Sequence, residues 1–216
     1  MNDWVFMIEQ RRVNKAEKTK THILNTAFRL FLQKSYREVT MQELQEHAQM
    51  SRGGLYHHFK NKEEIFLATV QRFFFSMMDE QLDMRAMTEK SFMENFQAYL
   101  THKQQTMERM LSHTGLEELD ANYFMLVFQT IQYFPETRAE LKKQVAQETQ
   151  NWAQIIKIAQ DKGEIKQHLD ADTLARHIYY LLDGVEMHLV MMGNISSEMY
   201  NHITAMIEQL YDLIRW

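Results

Sequence analysis

The chain is predicted to be all-α, with helices over nearly its whole length. Its 216 residues include a single proline and six glycines, the two residue types that most strongly interrupt helices. Apolar residues recur three and four positions apart, the spacing of one helical face. No run of alternating β-branched residues predicts a strand. The 45% hydrophobic content is enough for one or two buried cores.

The stretch from Thr40 to Glu64 predicts two short helices joined by a tight turn at Gln49, followed by the start of a third helix. Thr40 and Glu43 have the spacing of a capping box, in which each side chain bonds the other residue's backbone N–H. Ser51 is a favourable N-cap for the second helix. The buried faces are predicted to carry Leu44 and Ala48, then Leu55 and Phe59.

Gly53 and Gly54 stand inside the second of these helices. Each glycine costs a helix about 1 kcal/mol relative to alanine, so helix stability does not explain the pair. A backbone without Cβ atoms allows close approach of another molecule. We hypothesise that this molecule is DNA, because the second helix of a helix-turn-helix enters the major groove with its N-terminal end.

Residues 51–64, SRGGLYHHFKNKEE, resemble the DNA-binding signature of the TetR family of bacterial transcriptional regulators. The Leu-Tyr-x-His-Phe-x-x-Lys-Glu core of that signature is matched at every fixed position, starting at Leu55. The resemblance covers roughly residues 18–66 at motif level, and the remainder only as an all-helical pattern. The chain departs from the family at Gln45, Gln49 and Ser35, where alanine or glycine is usual. A non-glycine residue forced to positive φ costs about 1 kcal/mol.

The resemblance implies a three-helix helix-turn-helix domain at residues 1–62 and a helical effector-binding and dimerisation domain at residues 63–216. The planar guanidinium of Arg52 matches guanine O6 and N7, whereas the resemblance assigns Tyr56 and His57 to phosphates. Thr40 offers a hydroxyl and a helix N-terminus to a phosphate. The predicted DNA-contacting residues are Thr40, Ser51, Arg52, Gly53, Gly54, Tyr56, His57, Lys60 and Lys62.

The charge is unevenly distributed along the chain. Residues 9–62 contain 11 Lys and Arg against 5 Asp and Glu, whereas residues 63–216 contain 13 against 23. A basic N-terminal part on an acidic body is typical of a nucleic-acid-binding protein with a separate second domain. The alternative interpretation is a chance distribution of solvated charges.

The remaining helices are predicted from apolar stripes, caps and breaks. After a partly ordered arm at 9–20, the first helix spans about 18–34, with Ile23, Leu24, Ala27, Phe28, Leu30 and Phe31 on its buried face. Asn61 and Glu64 form a second cap signature, which starts a helix at 62–85 that joins the two domains. Thr114-Gly115, Lys162-Gly163 and Gly193-Asn194 mark breaks, and Pro135 suits a first turn. The body helices are predicted at 91–108, 107–113, 117–134, 135–161, 170–192 and 196–214.

Two functions are predicted for the body. The resemblance implies that the last two helices pair with their copies in a four-helix dimer interface, and the residues expected there are Ile178, Leu182, Val185, Leu189, Ile203, Ile207 and Leu210. The same stripes suit an ordinary core. A homodimer is expected on independent grounds, because one short helix contacts few base pairs and a palindromic operator offers two half-sites. A pocket for a small apolar or aromatic effector is expected at Phe96, Tyr99, Phe124, Met125, Phe128 and Trp152.

Composition argues against several other classes of function. The absence of cysteine excludes disulfides and thiolate metal sites, and the apolar opening of the chain is too short for a membrane span. No catalytic residues, cofactor or metal are predicted, since His57 and His58 are helix neighbours without an acidic partner. An enzyme within the helical body and a protein-binding adaptor remain alternatives. The expected function is a cytoplasmic, ligand-responsive repressor that binds a double-stranded DNA operator.

Overall fold

The computed structural model describes residues 3–76, 89–192 and 197–216. Within them the chain is helical, without a named β-strand. The helices are α1 (Asp3–Gln33), α2 (Met41–His47), α3 (Arg52–His58), α4 (Lys62–Val70), α5 (Phe92–Thr114), α6 (Ala121–Tyr133), α7 (Thr137–Asp161), α8 (Ala171–Met191) and α9 (Ser197–Ile214). The all-α prediction is therefore confirmed.

Side-chain caps start most of the helices at the positions that the sequence indicates. Thr40 and Ser91 form complete capping boxes with Glu43 and Glu94. Ser51, Asn61, Asp120 and Asp170 accept backbone N–H groups at the starts of α3, α4, α6 and α8. Gly115 ends α5 at a φ of 68°, the left-handed conformation that glycine adopts without steric cost.

Two helix predictions differ from the structure. The expected arm at 9–20 is part of α1, because this stretch consists largely of good helix formers without glycine or proline. The expected short helix at 107–113 is continuous with the one before it, since no residue between Glu108 and Thr114 interrupts α5. The end of the predicted helix at 62–85 and the break at Gly193-Asn194 lie outside the described residues.

Two hydrophobic cores hold the chain together. The first contains all six residues of the predicted α1 stripe, together with Leu44, Leu55, Phe59 and Phe66, and it continues into Met110, Tyr123 and Leu126 of the body. The second lies between α5, α7, α8 and α9, around Trp152. Because α4 and α6 both contribute to the first core, the helix-turn-helix is packed directly against the body.

A π-helical turn at Gln71–Phe75 continues α4. Phe73 and Phe75 are buried, and Phe74 packs partly against the same core. The wider turn changes the direction of successive side chains, so that three consecutive phenylalanines can all be packed.

Candidate nucleic-acid interface

The helix α3 has one buried and one exposed face. Leu55 is buried, as is Phe59 directly after the helix, whereas Ser51, Arg52, Gly53, Tyr56, His57 and Lys60 are exposed. The ring of Tyr56 is 42% exposed, and the guanidinium carbon of Arg52 lies 5.7 Å from its centroid. The predicted contact residues on α3 therefore share one polar, cationic surface next to the helix N-terminus.

The two glycines of α3 have different surroundings. A Cβ added to Gly53 would meet no atom within 4 Å, whereas one added to Gly54 would lie 3.1 Å from the Ser51 hydroxyl. That hydroxyl accepts the Gly54 N–H at 3.1 Å and caps the helix. Gly53 thus leaves open surface for a partner. The lack of a side chain at Gly54 is explained by the nearby Ser51 hydroxyl that caps the helix.

The turn between α2 and α3 places Gln49 at a φ of 53°, the one non-glycine positive φ among the described residues. The strain expected for glutamine at this family glycine position is therefore present. Ser35, the other residue in a usual glycine position, instead bonds the Glu38 carboxylate through its N–H and hydroxyl at 2.8 and 2.6 Å.

Glu43 occupies the N-terminal end of α2. Its carboxylate accepts the Thr40 N–H at 2.9 Å and forms an ion pair of 2.5 Å with the Lys34 ammonium. The bond from Lys34 and the backbone bond from Thr40 lower the pKa of Glu43 to about 2. A phosphate at Thr40 would therefore approach an N-terminus that already holds a carboxylate.

Lys62 is turned toward the chain itself. Its ammonium donates to the Tyr36 carbonyl at 2.7 Å and lies 4.5 Å from the Tyr36 ring centroid. Burial lowers the pKa of Lys62. The structure thus gives this residue a local role, fastening the start of α4 to the loop after α1, that the sequence did not indicate.

The adjacent histidines are in contact with each other, with ring centroids 5.2 Å apart for His57 and His58. Burial and the neighbouring His57 lower the pKa of His58. Among the described residues, no group of three or more His, Asp or Glu side chains is arranged to hold a metal ion.

We refer to α1, α2 and α3 with their connecting loops as the head, and to the helices from α5 onward as the body. Side chains of the head donate hydrogen bonds to backbone carbonyls at the C-terminus of α5. The side-chain amide of Asn25 donates to the His113 carbonyl at 2.8 Å, and the Arg29 guanidinium donates to the Thr114 carbonyl at 2.6 Å. A cation at this end also complements the helix dipole. The N–H of Tyr36 donates to the Gln129 side chain on α6 at 2.6 Å.

Two body side chains bond the π-helical turn that follows α4. The Tyr123 hydroxyl donates to the Phe73 carbonyl at 3.1 Å, and the Gln144 amide donates to the Phe75 carbonyl at 3.2 Å. Both bonds are buried. The far end of α4 is thus attached to α6 and α7, while its start is attached to the head through Lys62.

The six predicted effector residues do not line one pocket. Phe96, Tyr99 and Trp152 are buried together in the second core, with ring centroids 5.0–6.1 Å from Trp152. Phe124 is partly exposed, and Met125 and Phe128 are each 49% exposed on α6. The aromatic composition identified apolar positions, but it did not indicate which of these side chains face the same part of the body.

Four of the predicted dimer residues, Ile178, Leu182, Ile203 and Ile207, are buried in the second core of the same chain. Val185, Leu189 and Leu210 are partly buried and pack against that core. The ordinary-core alternative therefore applies to the inner faces of α8 and α9. Among the described residues, the large apolar residues that these two helices and their ends expose are Tyr180, Met191, Met192, Leu213 and Trp216.

The residues that sequence analysis missed are those that connect distant segments. Asn25, Arg29 and Gln129 give no local signal, because each bonds a partner more than 80 positions away in the chain. Only the tertiary structure brings these groups together.

The head contains three helices, and α3, the second helix of the helix-turn-helix, exposes a cationic face. Such a head on a helical body defines a helix-turn-helix transcriptional regulator. The chain belongs to the TetR family. The model for bacterial regulatory proteins of the tetR family matches residues 23–69, and the one for the tetracyclin repressor-like C-terminal domain matches residues 126–206.

Similar proteins include the probable acrEF/envCD operon repressor of Escherichia coli strain K12, 21% identical over 213 residues, which cover 93% of this chain and 89% of that protein. The HTH-type transcriptional regulator YerO of Bacillus subtilis is 23% identical over 91% of this chain, which spans 64% of YerO.

Solved structures share the fold. Reduced NemR of Escherichia coli superposes with a TM-score of 0.59 at 18% identity, over 92% of this chain and 98% of its own. A TetR-family regulator from Cytophaga hutchinsonii gives 0.60 at 15% identity, over 93% and 96%. Within the part of this chain that the structure describes, no helix is both long and apolar enough to cross a membrane.

Proposed function

We propose that this protein is a ligand-responsive repressor that binds a palindromic operator in the cytoplasm and is released by a small effector in the body. The observation that carries the proposal is the exposed face of α3 and of the residues directly after it, where Arg52, Tyr56, His57 and Lys60 are exposed and Gly53 leaves open backbone. Arg52 would bind a base edge in the major groove, and the other three side chains would bind phosphates.

The link between body and head supports a response to ligand. The start of α4 is bonded to the head by Lys62, and the turn after it is bonded to the body by Tyr123 and Gln144. An effector that displaces α6 or α7 would pull on the turn and change the position of the head. By linkage, effector and operator then weaken each other's binding by the same factor.

A homodimer is part of the proposal. The exposed side of α8 carries Tyr180 and Met191, with Gly184 between them, where an added Cβ would meet no atom within 4 Å. Residues 180, 184, 188 and 191 follow one helical stripe. We expect this outer stripe, rather than the inner one, to contact the partner, which would place two α3 helices on successive half-sites.

The test is fluorescence anisotropy with DNA from upstream of the protein's own coding region, over a salt series. Arg52→Ala should cost about 1–3 kcal/mol of specific binding and relax sequence preference, whereas Lys60→Ala should weaken all sequences alike. Arg138→Ala, an exposed cation on α7, is the matched control. Equal affinity of the wild type for upstream and random DNA would refute specific binding by this face.

A further inference from the structure

A cluster of charged side chains lies on three neighbouring helices of the body. It comprises Lys103 of α5, Glu148 of α7, and Asp183 and Glu186 of α8, and we refer to it as the charged cluster. The Lys103 ammonium lies 3.0 and 3.2 Å from the two carboxylate oxygens of Glu186. The Tyr99 hydroxyl donates to Glu148 at 2.5 Å. The ion pair is partly removed from water, and shielded ion pairs seldom stabilise a fold more than apolar side chains of the same size, so the cluster calls for another explanation.

The charges of the cluster do not balance. Among the described residues the cluster contains one ammonium and three carboxylates. Lys103 is paired with Glu186, Glu148 accepts the Tyr99 hydroxyl, and the exposed Asp183 interacts electrostatically with both members of the ion pair. Burial, followed by the neighbouring Glu186 carboxylate, raises the pKa of Asp183. Burial lowers the pKa of Lys103, but its carboxylate and phenol neighbours outweigh this effect and raise the pKa well above its ordinary value. The ammonium therefore stays charged, and among the described residues the cluster contains more carboxylates than cations.

Tyrosine side chains lie near the cluster. The Lys103 ammonium lies 5.4 Å from the Tyr99 ring centroid, a cation–π contact. Tyr123 of α6, Tyr179 of α8 and Tyr200 of α9 interact electrostatically with Lys103 and Glu186. Electron-rich ring faces beside excess carboxylate are the surroundings that organic cations prefer.

Gln144 supplies an independent observation. Only 6% of this residue is exposed, and its side-chain amide donates to the π-helical turn. Its side-chain oxygen is buried without a hydrogen-bond partner among the described residues. Gln144 stands one turn before Glu148, so both lie on the same face of α7. A buried amide oxygen of this kind accepts a hydrogen bond from a ligand N–H at no further desolvation cost.

The cluster is not sealed from solutes. The side chains of Lys103 and Glu186 are 35% and 23% exposed among the described residues. A ligand can therefore approach the ion pair without unfolding a helix.

We propose that the charged cluster binds the effector, and that the effector is an organic cation with N–H donors, an amine or guanidine on an apolar or aromatic body. The carboxylates balance its charge, the tyrosines contact its apolar part, and Gln144 accepts an N–H. Because Gln144 also holds the π-helical turn, occupancy would act on the end of α4. This inference rests on the proposed effector-responsive function and makes it more specific.

Isothermal titration calorimetry without DNA tests the site. The probes are 1-naphthylmethylamine and 4-phenylbutylamine, with neutral 1-naphthalenemethanol and anionic 1-naphthoate for comparison. Both amines should bind roughly tenfold or more tightly than the alcohol, and Asp183→Asn should reduce amine affinity by a similar factor. Glu208→Gln, an exposed carboxylate on α9, is the matched control.

The Lys103→Met variant distinguishes a cationic ligand from an anionic one. It should preserve or strengthen amine binding, because it removes the competing ammonium, whereas it would abolish binding of a carboxylate ligand. Tighter binding of naphthoate than of either amine, or failure of both amines to bind more tightly than the alcohol, overturns the inference. These comparisons on the wild type do not depend on the folding of any variant.

A second arm tests the regulatory role separately. Upstream DNA bound to the wild type should be released by the amines and not by naphthalenemethanol. Amine binding that depends on Asp183 but leaves DNA bound would overturn the effector role while leaving the cation site intact. Release of DNA by naphthoate and by neither amine would agree with a ligand-responsive repressor, but it would overturn the proposal that the site binds a cation.

Discussion

The Arg29 guanidinium on α1 donates a hydrogen bond of 2.6 Å to the Thr114 carbonyl at the end of α5. This bond connects the helix that supports the helix-turn-helix with a helix of the body. Arg29→Met should keep most of the apolar stem and remove the donor. We expect a loss of about 1.5–3 kcal/mol in the free energy of unfolding, because the acceptor is bonded to a charged group.

Urea denaturation measures that loss, and amide exchange of Gly115 should become faster because the end of α5 is no longer held. Lys18→Ala, an exposed cation on the same helix, serves as the control. If the two variants were equally stable, the bond would have no role in joining head and body.

The two glycines of α3 should respond differently to alanine. Gly53→Ala meets no neighbouring atom, so it should stabilise the helix by up to about 1 kcal/mol while weakening DNA binding through its added methyl group. Gly54→Ala crowds the Ser51 cap and should lose most of that gain. Thermal unfolding and anisotropy with upstream DNA measure the two effects; unchanged DNA affinity of Gly53→Ala would remove the argument for close approach there.

Gln49→Gly should stabilise the protein by about 1 kcal/mol, because glycine adopts the observed positive φ without steric cost. The same substitution at Gln45, inside α2, should destabilise it by a similar amount. Paired chemical denaturation curves would reveal the opposite signs. A loss of stability at both positions would mean that the side chain of Gln49 contributes more than its backbone strain costs.

Acid should weaken the start of α2. The pKa of Glu43 is lowered from 4.5 to about 2 by Lys34 and Thr40, so the unfolded chain takes up its proton first. The contribution of Glu43 to the free energy of unfolding is therefore fully present above pH 4.5 and is lost as the pH falls toward 2.

Glu43→Gln should show a smaller loss of stability than the wild type between these pH values in urea denaturation. Glu46→Gln, at an exposed carboxylate in the same helix, should retain the wild-type slope. Identical slopes for the wild type and Glu43→Gln would show that the ion pair with Lys34 is not formed in solution.

The outer face of α8 should determine the oligomeric state. Tyr180→Asp replaces a residue that is 61% exposed by a charged one. We expect it to convert a dimer into a monomer, because a carboxylate would be buried in the interface. Met125→Asp makes the same kind of change on the exposed face of α6. Sedimentation equilibrium distinguishes the two, and a Tyr180→Asp dimer as stable as the wild type would place the interface elsewhere.

Local signals predicted the head well. The caps at Thr40, Ser51 and Asn61 and the apolar pairs of α2 and α3 lie within a few residues of each other, so their pattern contains most of the information that forms them. The same holds for the six buried residues of α1. The motif at residues 51–64 also indicated which side of α3 is exposed.

The body was less predictable because its features depend on distant pairs. An apolar stripe does not distinguish a chain's own core from a partner, which is why Ile178 and Ile203 were assigned to an interface. Lys103 and Glu186 are separated by 83 positions, and neither has a local pattern that indicates the other. Three consecutive phenylalanines likewise give no sign of a π-helical turn.

That turn at Gln71–Phe75 has a consequence for the evolution of the chain. A π-helical turn is equivalent to one residue inserted into an α-helix, and removing one residue would restore regular hydrogen bonding. Each inserted residue rotates everything that follows by about 100° around the helix axis. A single-codon deletion would thus leave the head and the start of α4 unchanged while withdrawing the carbonyls that Tyr123 and Gln144 bond. If the protein responds to ligand as proposed, gain or loss of one codon would create or abolish that response without changing the surface proposed to bind DNA.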